Sequence, residues 1–237
     1  MNYKIKYNTF YGGNKYEFEN KVIFFIGPNS PKNILSNLPD DVDYVICVSG
    51  NPGYSIDHYG LKKNNIIFSC LLPTDNHTID KMKQVINKGI ILRTNKKLFD
   101  VHDGRKIFVN DLKNKITFTH PSIFENINKI LKDIKYNRWW PSTGFFCLID
   151  IFLQNPKKVY VNGITWFHPK FSYYDGNDND YMIKRELIQN LIDKWPDNLP
   201  HDLKEEYRYL KKNYLLKSNV ILDDNIKWIL NNDNILN

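Results

Sequence analysis

Pro141-Ser142-Thr143-Gly144-Phe145-Phe146-Cys147-Leu148-Ile149, running on to Val159-Tyr160-Val161-Asn162-Gly163, is the stretch on which the fold reading turns. It reads as a turn, a capped helix start, an apolar helix and a buried strand ending in glycine. Ser142 and Thr143 carry side-chain oxygens that can accept from first-turn N–H groups. Gly144 adds no Cβ, so a ligand can come close to the backbone. A helix start exposes unpaired N–H groups at the positive end of the helix dipole, which suits phosphate or carboxylate. The plain alternative is a capped helix feeding a core strand.

Working outward, apolar runs of strand length stand at 22–26, 44–48, 65–68, 90–93, 159–161 and 219–222. Helical spacing occupies 30–38, 79–88, 123–132, 142–154, 181–194, 201–210 and 225–231. Strands alternating with helices predict an α/β fold: one Rossmann-like domain with a mostly parallel, twisted sheet and helices on both faces. In such sheets ligands sit beyond the carboxyl ends of the strands. Residues 1–20 alternate tyrosine with polar residues around Gly12-Gly13 and read as an N-terminal hairpin or arm. Residues 21–237 read as a single domain. Gly176-Asn177-Asp178-Asn179-Asp180 is a polar loop and a candidate lid.

The chain has 237 residues, 42% hydrophobic and 25% charged, which suits a globular domain and excludes a disordered one. No apolar run reaches membrane-span length, and no signal-peptide core follows Met1. The three cysteines, Cys47, Cys70 and Cys147, lie in or beside apolar runs, as buried reduced thiols do. The expected setting is cytoplasmic, with a viral or protist source. The net charge of +7 comes from lysines spread along the chain, so solvated faces account for it without nucleic acid. No Cys/His cluster has zinc spacing, and no Gly-x4-Gly-Lys phosphate loop occurs.

The Pro141–Gly144 helix and the strand ending at Gly163 resemble the small motif of the eukaryotic-type sialyltransferases, glycosyltransferase family 29. Further segments resemble that family in the same order. Lys21 to Gly27-Pro28-Asn29-Ser30 looks like the opening of its large motif. Asn51-Pro52-Gly53-Tyr54 with Asp57, Gly60 and Lys62 looks like the end of that motif. Tyr173-Tyr174-Asp175 resembles the third motif, and His201 with Glu206 resembles the last, a His with a Glu five residues on. The resemblance spans roughly residues 22 to 212. It implies a divergent member with a variant nucleotide-sugar transferase fold of the GT-A type. The implied reaction is inverting and metal-independent, and it moves sialic acid or a related acidic sugar from a CMP donor to a glycan hydroxyl, with no cofactor. The Golgi members join their large and small motifs by a disulfide. Near those positions this chain has Phe24 and Asn155, so the lumenal setting does not carry over.

The resemblance makes His201 the catalytic base, and an imidazole titrating near neutrality can take a proton from an alcohol. The plain alternative is a surface histidine at a helix start. Glu206 lies five residues on, which does not stack directly on His201, so it is assigned an orienting or structural role. Donor binding falls to Asn29, Ser30, Asn51, Ser142, Thr143, Gly144, Gly163, Tyr173 and Tyr174. The resemblance implies that Asn29 bonds the nucleotide and that Gly163 lets the cytosine lie on the backbone. Each is also read as a turn residue. The tyrosines carry phenolic donors for a phosphate, with core packing as the alternative. The family has a histidine just before this tyrosine pair, whereas this chain has Ser172, and His168 is the candidate substitute. Asp178-Asn179-Asp180 has the Asp-x-Asp form of a metal clamp but lies well past the strand, and no metal ligands are assigned. Trp139, Trp140, Trp166 and Phe167 flank the site as candidate sugar-stacking residues, against core packing. The expected partners are a nucleotide-sugar donor and a glycan acceptor. Two other readings remain: a transferase of the same fold with another nucleotide sugar, and a non-catalytic nucleotide- or carbohydrate-binding protein.

Overall fold

The computed structural model describes residues 17–31, 33–48, 66–69, 91–94, 116–136, 141–166 and 201–232. Seven strands follow in chain order: β1 (Val22–Ile26), β2 (Tyr44–Val48), β3 (Ile66–Ser69), β4 (Ile91–Thr94), β5 (Ile116–Phe118), β6 (Lys158–Asn162) and β7 (Val220–Leu222). Their order across the sheet is β5-β4-β3-β2-β1-β6-β7, and every neighbouring pair is parallel. Four α-helices are described: α1 (Pro121–Asp133), α2 (Thr143–Phe152), α3 (Leu203–Leu210), which a π-helical turn at Lys211–Leu215 continues, and α4 (Asp224–Asn231). The α/β class with a parallel sheet is therefore as the sequence predicts.

Strands buried on both faces read as unbroken apolar runs, and β1 is one, with all five residues of Val-Ile-Phe-Phe-Ile buried. Ile23 and Phe25 face the main core with Ile46, Val48, Val159 and Val161, while Val22, Phe24, Ile26, Val45 and Cys47 are buried on the alternate face. Over the first face lies α2, in which every residue from Phe145 to Phe152 is buried. A helix apolar all round must lie inside the fold. Each buried large side chain contributes about 1.5–3 kcal/mol relative to exposure. Phe18, assigned to the arm by its position in the sequence, packs in the same core, with its N–H donating to Gln154 Oε1.

One polar side chain interrupts α2. Asp150 accepts from Arg93 Nε at 2.7 Å, from Arg93 Nη2 at 3.2 Å, from Thr119 Oγ1 at 3.0 Å and from Gln154 Nε2 at 2.9 Å. Arg93 also donates from Nη1 to Glu17 Oε2 at 2.5 Å. Burial disfavours the guanidinium charge, but Asp150 and Glu17 outweigh it and hold the Arg93 pKa above its ordinary value. The cluster ties β4 to α2 and to the turn at residues 17–20.

Two elements depart from expectation. The helix read over 30–38 is only a 3-10 turn, Ile34–Asn37. Ser30 N–H closes a turn on Gly27 O, Asn33 is left-handed at φ 53, and Leu38 is extended before Pro39, so regular helix has no room to propagate. Strand β5 was not foreseen, because its three residues are too few for a periodic signal. The expected helices at 79–88 and 181–194 lie outside the described residues. Cys47 and Cys147 are buried thiols, and Cys70 lies outside the described residues. Among the described residues no helix is long and apolar enough to cross a membrane.

Candidate functional site

The strand order reverses between β1 and β6. From β1 the chain builds outward through β2 to β5 on one side, then returns to β6 and β7 on the other. At such a switch point the connections leave in opposite directions and open a crevice beyond the carboxyl ends of the strands. Two of the sequence motifs meet there. Gly27 N–H donates to Asn162 O at 2.7 Å, and Asn29 N–H donates to Gly163 O at 2.9 Å. Asn29 Nδ2 donates to Thr165 Oγ1 at 2.8 Å.

Glycine is required on both sides of this contact. Gly163 has φ 68, in the left-handed region, and a Cβ there would lie closer than 3.0 Å to the backbone N of Ser30. A Cβ on Gly27 would collide equally with the carbonyl of Gly163. The turn is held from the other side by Asp223, which caps α4 through Ile226 N–H at 2.8 Å and accepts from Gly163 N–H at 2.6 Å. Burial raises the Asp223 pKa, opposed by the backbone N–H groups of Gly163, Ile226 and Asn225.

The start of α2 lies beside this turn, since a Cβ on Gly144 would stand 3.2 Å from Ile164 Cδ1. Ser142 is the N-cap, and its Oγ accepts from Phe145 N–H at 3.1 Å. The same hydroxyl donates to Glu206 Oε2 at 2.5 Å, and the Ser142 N–H donates to Glu206 Oε1 at 2.7 Å. The chain's own carboxylate therefore meets the cap residue of this helix.

Glu206 is fully buried. Its Oε1 also accepts from the Tyr136 hydroxyl at 2.8 Å, and that hydroxyl accepts from the Asp202 N–H at 3.0 Å. Burial drives the Glu206 pKa up to about 7, although the bonds from Ser142 and Tyr136 favour its charged form. Burial, followed by the charge of Glu206, raises the Tyr136 pKa above the ordinary phenol value. Asp202 caps α3 through Glu205 N–H at 3.3 Å. His201 sits just before the cap, half-buried, so it lies outside the helical turn that carries Glu206.

Asn29, Ser30, Ser142, Thr143, Gly144 and Gly163 are thus gathered at the ends of β1, β6 and the start of α2, with α3 and its preceding His201 joined through Glu206. Asn51, His168, Tyr173 and Tyr174 lie outside the described residues, as do Asp178, Asp180, Trp139, Trp140 and Phe167. Trp166 takes the core-packing alternative rather than sugar stacking. It is buried and meets Tyr207 edge to face at 4.9 Å, so it belongs to the core. Tyr136 and Asp223 join the site from outside every sequence motif. Asp223 carries a readable cap signal ahead of Asp224-Asn225-Ile226, whereas nothing local marks Tyr136. Among the described residues no group of three His, Cys, Asp or Glu could hold a metal ion.

Solved structures share this architecture. A variant of the sialyltransferase CST-II in complex with CMP matches with a TM-score of 0.51 and 16% identity, covering 86% of this chain and 80% of its own. The monofunctional alpha-2,3-sialyltransferase Cst-I from Campylobacter jejuni matches with a TM-score of 0.50 and 16% identity, covering 86% and 76%. The chain has a sialyltransferase-like fold. No protein-family model and no curated protein sequence matches it. Within the sialyltransferase-like fold, the switch point between β1 and β6 is the place where this chain brings its glycine turns and its capped helix together.

Proposed function

We propose that this chain is a sialyltransferase-like glycosyltransferase, of the GT-A type and akin to family 29, that takes a CMP-linked acidic sugar as donor and a glycan hydroxyl as acceptor. The observation that carries the reading is the convergence of the Gly27–Ser30 loop, the Gly163 turn and the Ser142–Gly144 helix start at the switch point of a sialyltransferase-like sheet. In this reading the nucleotide lies over Gly163 and Asn29. The donor's anionic groups are met by the first-turn N–H groups of Thr143 and Gly144, because the Ser142 hydroxyl is engaged with Glu206 and Phe145. Tyr173, Tyr174 and Asn51 complete the donor site.

His201 takes the proton of the acceptor hydroxyl as its oxygen attacks the anomeric carbon from the face opposite CMP. The anomeric C–O bond breaks as the new one forms, and CMP leaves with the bonding electrons. Inversion follows from this single displacement. No metal is needed to neutralise a monophosphate leaving group, and preorganised N–H and hydroxyl donors serve that role. His168 is the candidate to assist departure of the phosphate where Ser172 stands.

A nucleotide panel followed by thermal unfolding tests the donor. CMP at about 100 times its dissociation constant should add about 2.7 kcal/mol, ahead of UDP, GDP and ADP. A clear preference for UDP or GDP would replace the donor and keep the fold. Release of CMP from CMP-sialic acid on adding a glycan acceptor tests the enzyme, and His201→Ala should slow it by about 10²–10⁴-fold. CMP binding without release or transfer would favour a non-catalytic binder.

A further inference from the structure

Tyr136 lies far from His201 in sequence but bonds the peptide that follows it. Tyr136 follows the end of α1, outside every motif of the resemblance, yet its hydroxyl is the hub between two of them. It donates to Glu206 Oε1 at 2.8 Å and accepts from the backbone N–H of Asp202 at 3.0 Å. That N–H belongs to the peptide joining Asp202 to His201. Glu206 in turn holds the Ser142 N–H and hydroxyl at the start of α2. A continuous path therefore runs from the helix start through a buried carboxylate and one phenol to the peptide of His201. A phenol can donate and accept at once, so it joins a Glu206 oxygen that accepts to an N–H, which only donates.

We propose that Tyr136 is a positioning residue that fixes His201 relative to the start of α2, an inference whose kinetic form rests on the reading of His201 as the base. Tyr136→Phe keeps the ring and its packing but removes both bonds. Asp202 N–H loses this acceptor, and the link from the His201–Asp202 peptide to Glu206 is lost. Polar groups withdrawn from water are hydrogen-bonded in native proteins, and this part-buried N–H must find another partner when the phenol is lost.

The test reads His201 directly. In protein labelled at its six histidines, the His201 imidazole resonance is assigned by its loss in His201→Ala. Tyr136→Phe should move or broaden that resonance and leave the other five in place. Tyr214→Phe, which removes another part-buried hydroxyl from the segment after α3, should leave it unmoved. An unmoved His201 signal in Tyr136→Phe, or an equal shift in Tyr214→Phe, overturns the proposal. If Tyr136→Phe does not fold, hydrogen exchange in the parent decides instead. The Asp202 amide precedes the helical ladder of α3, so slow exchange there supports the bond to Tyr136 and fast exchange refutes it.

Kinetics separate this inference from the functional reading. With a CMP-sugar donor, Tyr136→Phe should lower kcat by about 10–100-fold through misplacement of the base while donor KM holds. In a His201→Ala background the same change should have no further effect. An additive fall in the double variant overturns positioning through His201. A parent without transfer activity defeats the functional reading alone, and the resonance measurement still decides whether Tyr136 positions His201.

Discussion

Glu206→Gln is the substitution that most directly tests the electrostatics at the centre of this structure. Glu206 is fully buried, and burial lifts its pKa from 4.5 to about 7. Between those two values the folded protein holds a proton that the unfolded chain has released. Stability therefore falls as pH rises through this window: the contribution is fully present below about 4.5 and is lost by about 7. At about 1.4 kcal/mol for each pH step, the loss across the window comes to about 3 kcal/mol. Glutamine removes the titration and keeps most of the bonds. Its carbonyl can accept from Ser142 N–H and Tyr136, and its amide can donate to Ser142 Oγ. Urea unfolding of parent and variant at intervals from pH 4.5 to 8 measures the difference. The parent should lose about 3 kcal/mol relative to Glu206→Gln over that range, with most of the divergence between pH 5 and 7. Parallel curves for the two proteins would refute the buried, proton-holding carboxylate on which this reasoning depends.

Other outcomes follow from particular contacts. Gly163→Ala places a Cβ at φ 68 against Ser30, so it should cost at least about 1–3 kcal/mol and weaken CMP binding; full stability in urea would refute the close approach of the two loops. Asp150→Ala leaves the buried Arg93 guanidinium with a reduced set of partners and should cost about 3–5 kcal/mol, whereas a change within 1 kcal/mol would make the cluster energetically idle. EDTA should leave sugar transfer unchanged, and activity lost to chelation and restored by manganese would return Asp178 and Asp180 to consideration as ligands.

Local pattern carried the sheet and its helices. The apolar runs at 22–26 and 44–48 coincide with β1 and β2, because strands buried on both faces admit little else than apolar residues. The start of α2 was legible for a similarly local reason: a serine directly before the helix accepts from the backbone N–H three residues on. The chemistry at residue 206 was not legible. Spacing set Glu206 five residues from His201 without stacking on it and left its partner open, and the fold points it at Ser142, separated from it by 64 residues in sequence. Tyr136 and Asp223 escaped notice because each acts on a backbone N–H that any residue could supply, so no residue pattern records the pair. The 30–38 segment shows the same limit in reverse. Its helical spacing was real, but the bond from Asn29 to Gly163 and the left-handed Asn33 overrode it. By itself the sequence determined a parallel α/β sheet, the capped α2 helix and the glycines at the ends of β1 and β6, because periodicity, capping and turn chemistry act between near neighbours. Only the tertiary structure decided that those glycines press against each other, that a buried carboxylate meets the helix start, and that a phenol ties it to His201. Those contacts depend on long-range packing, which brings distant backbone groups within hydrogen-bond reach.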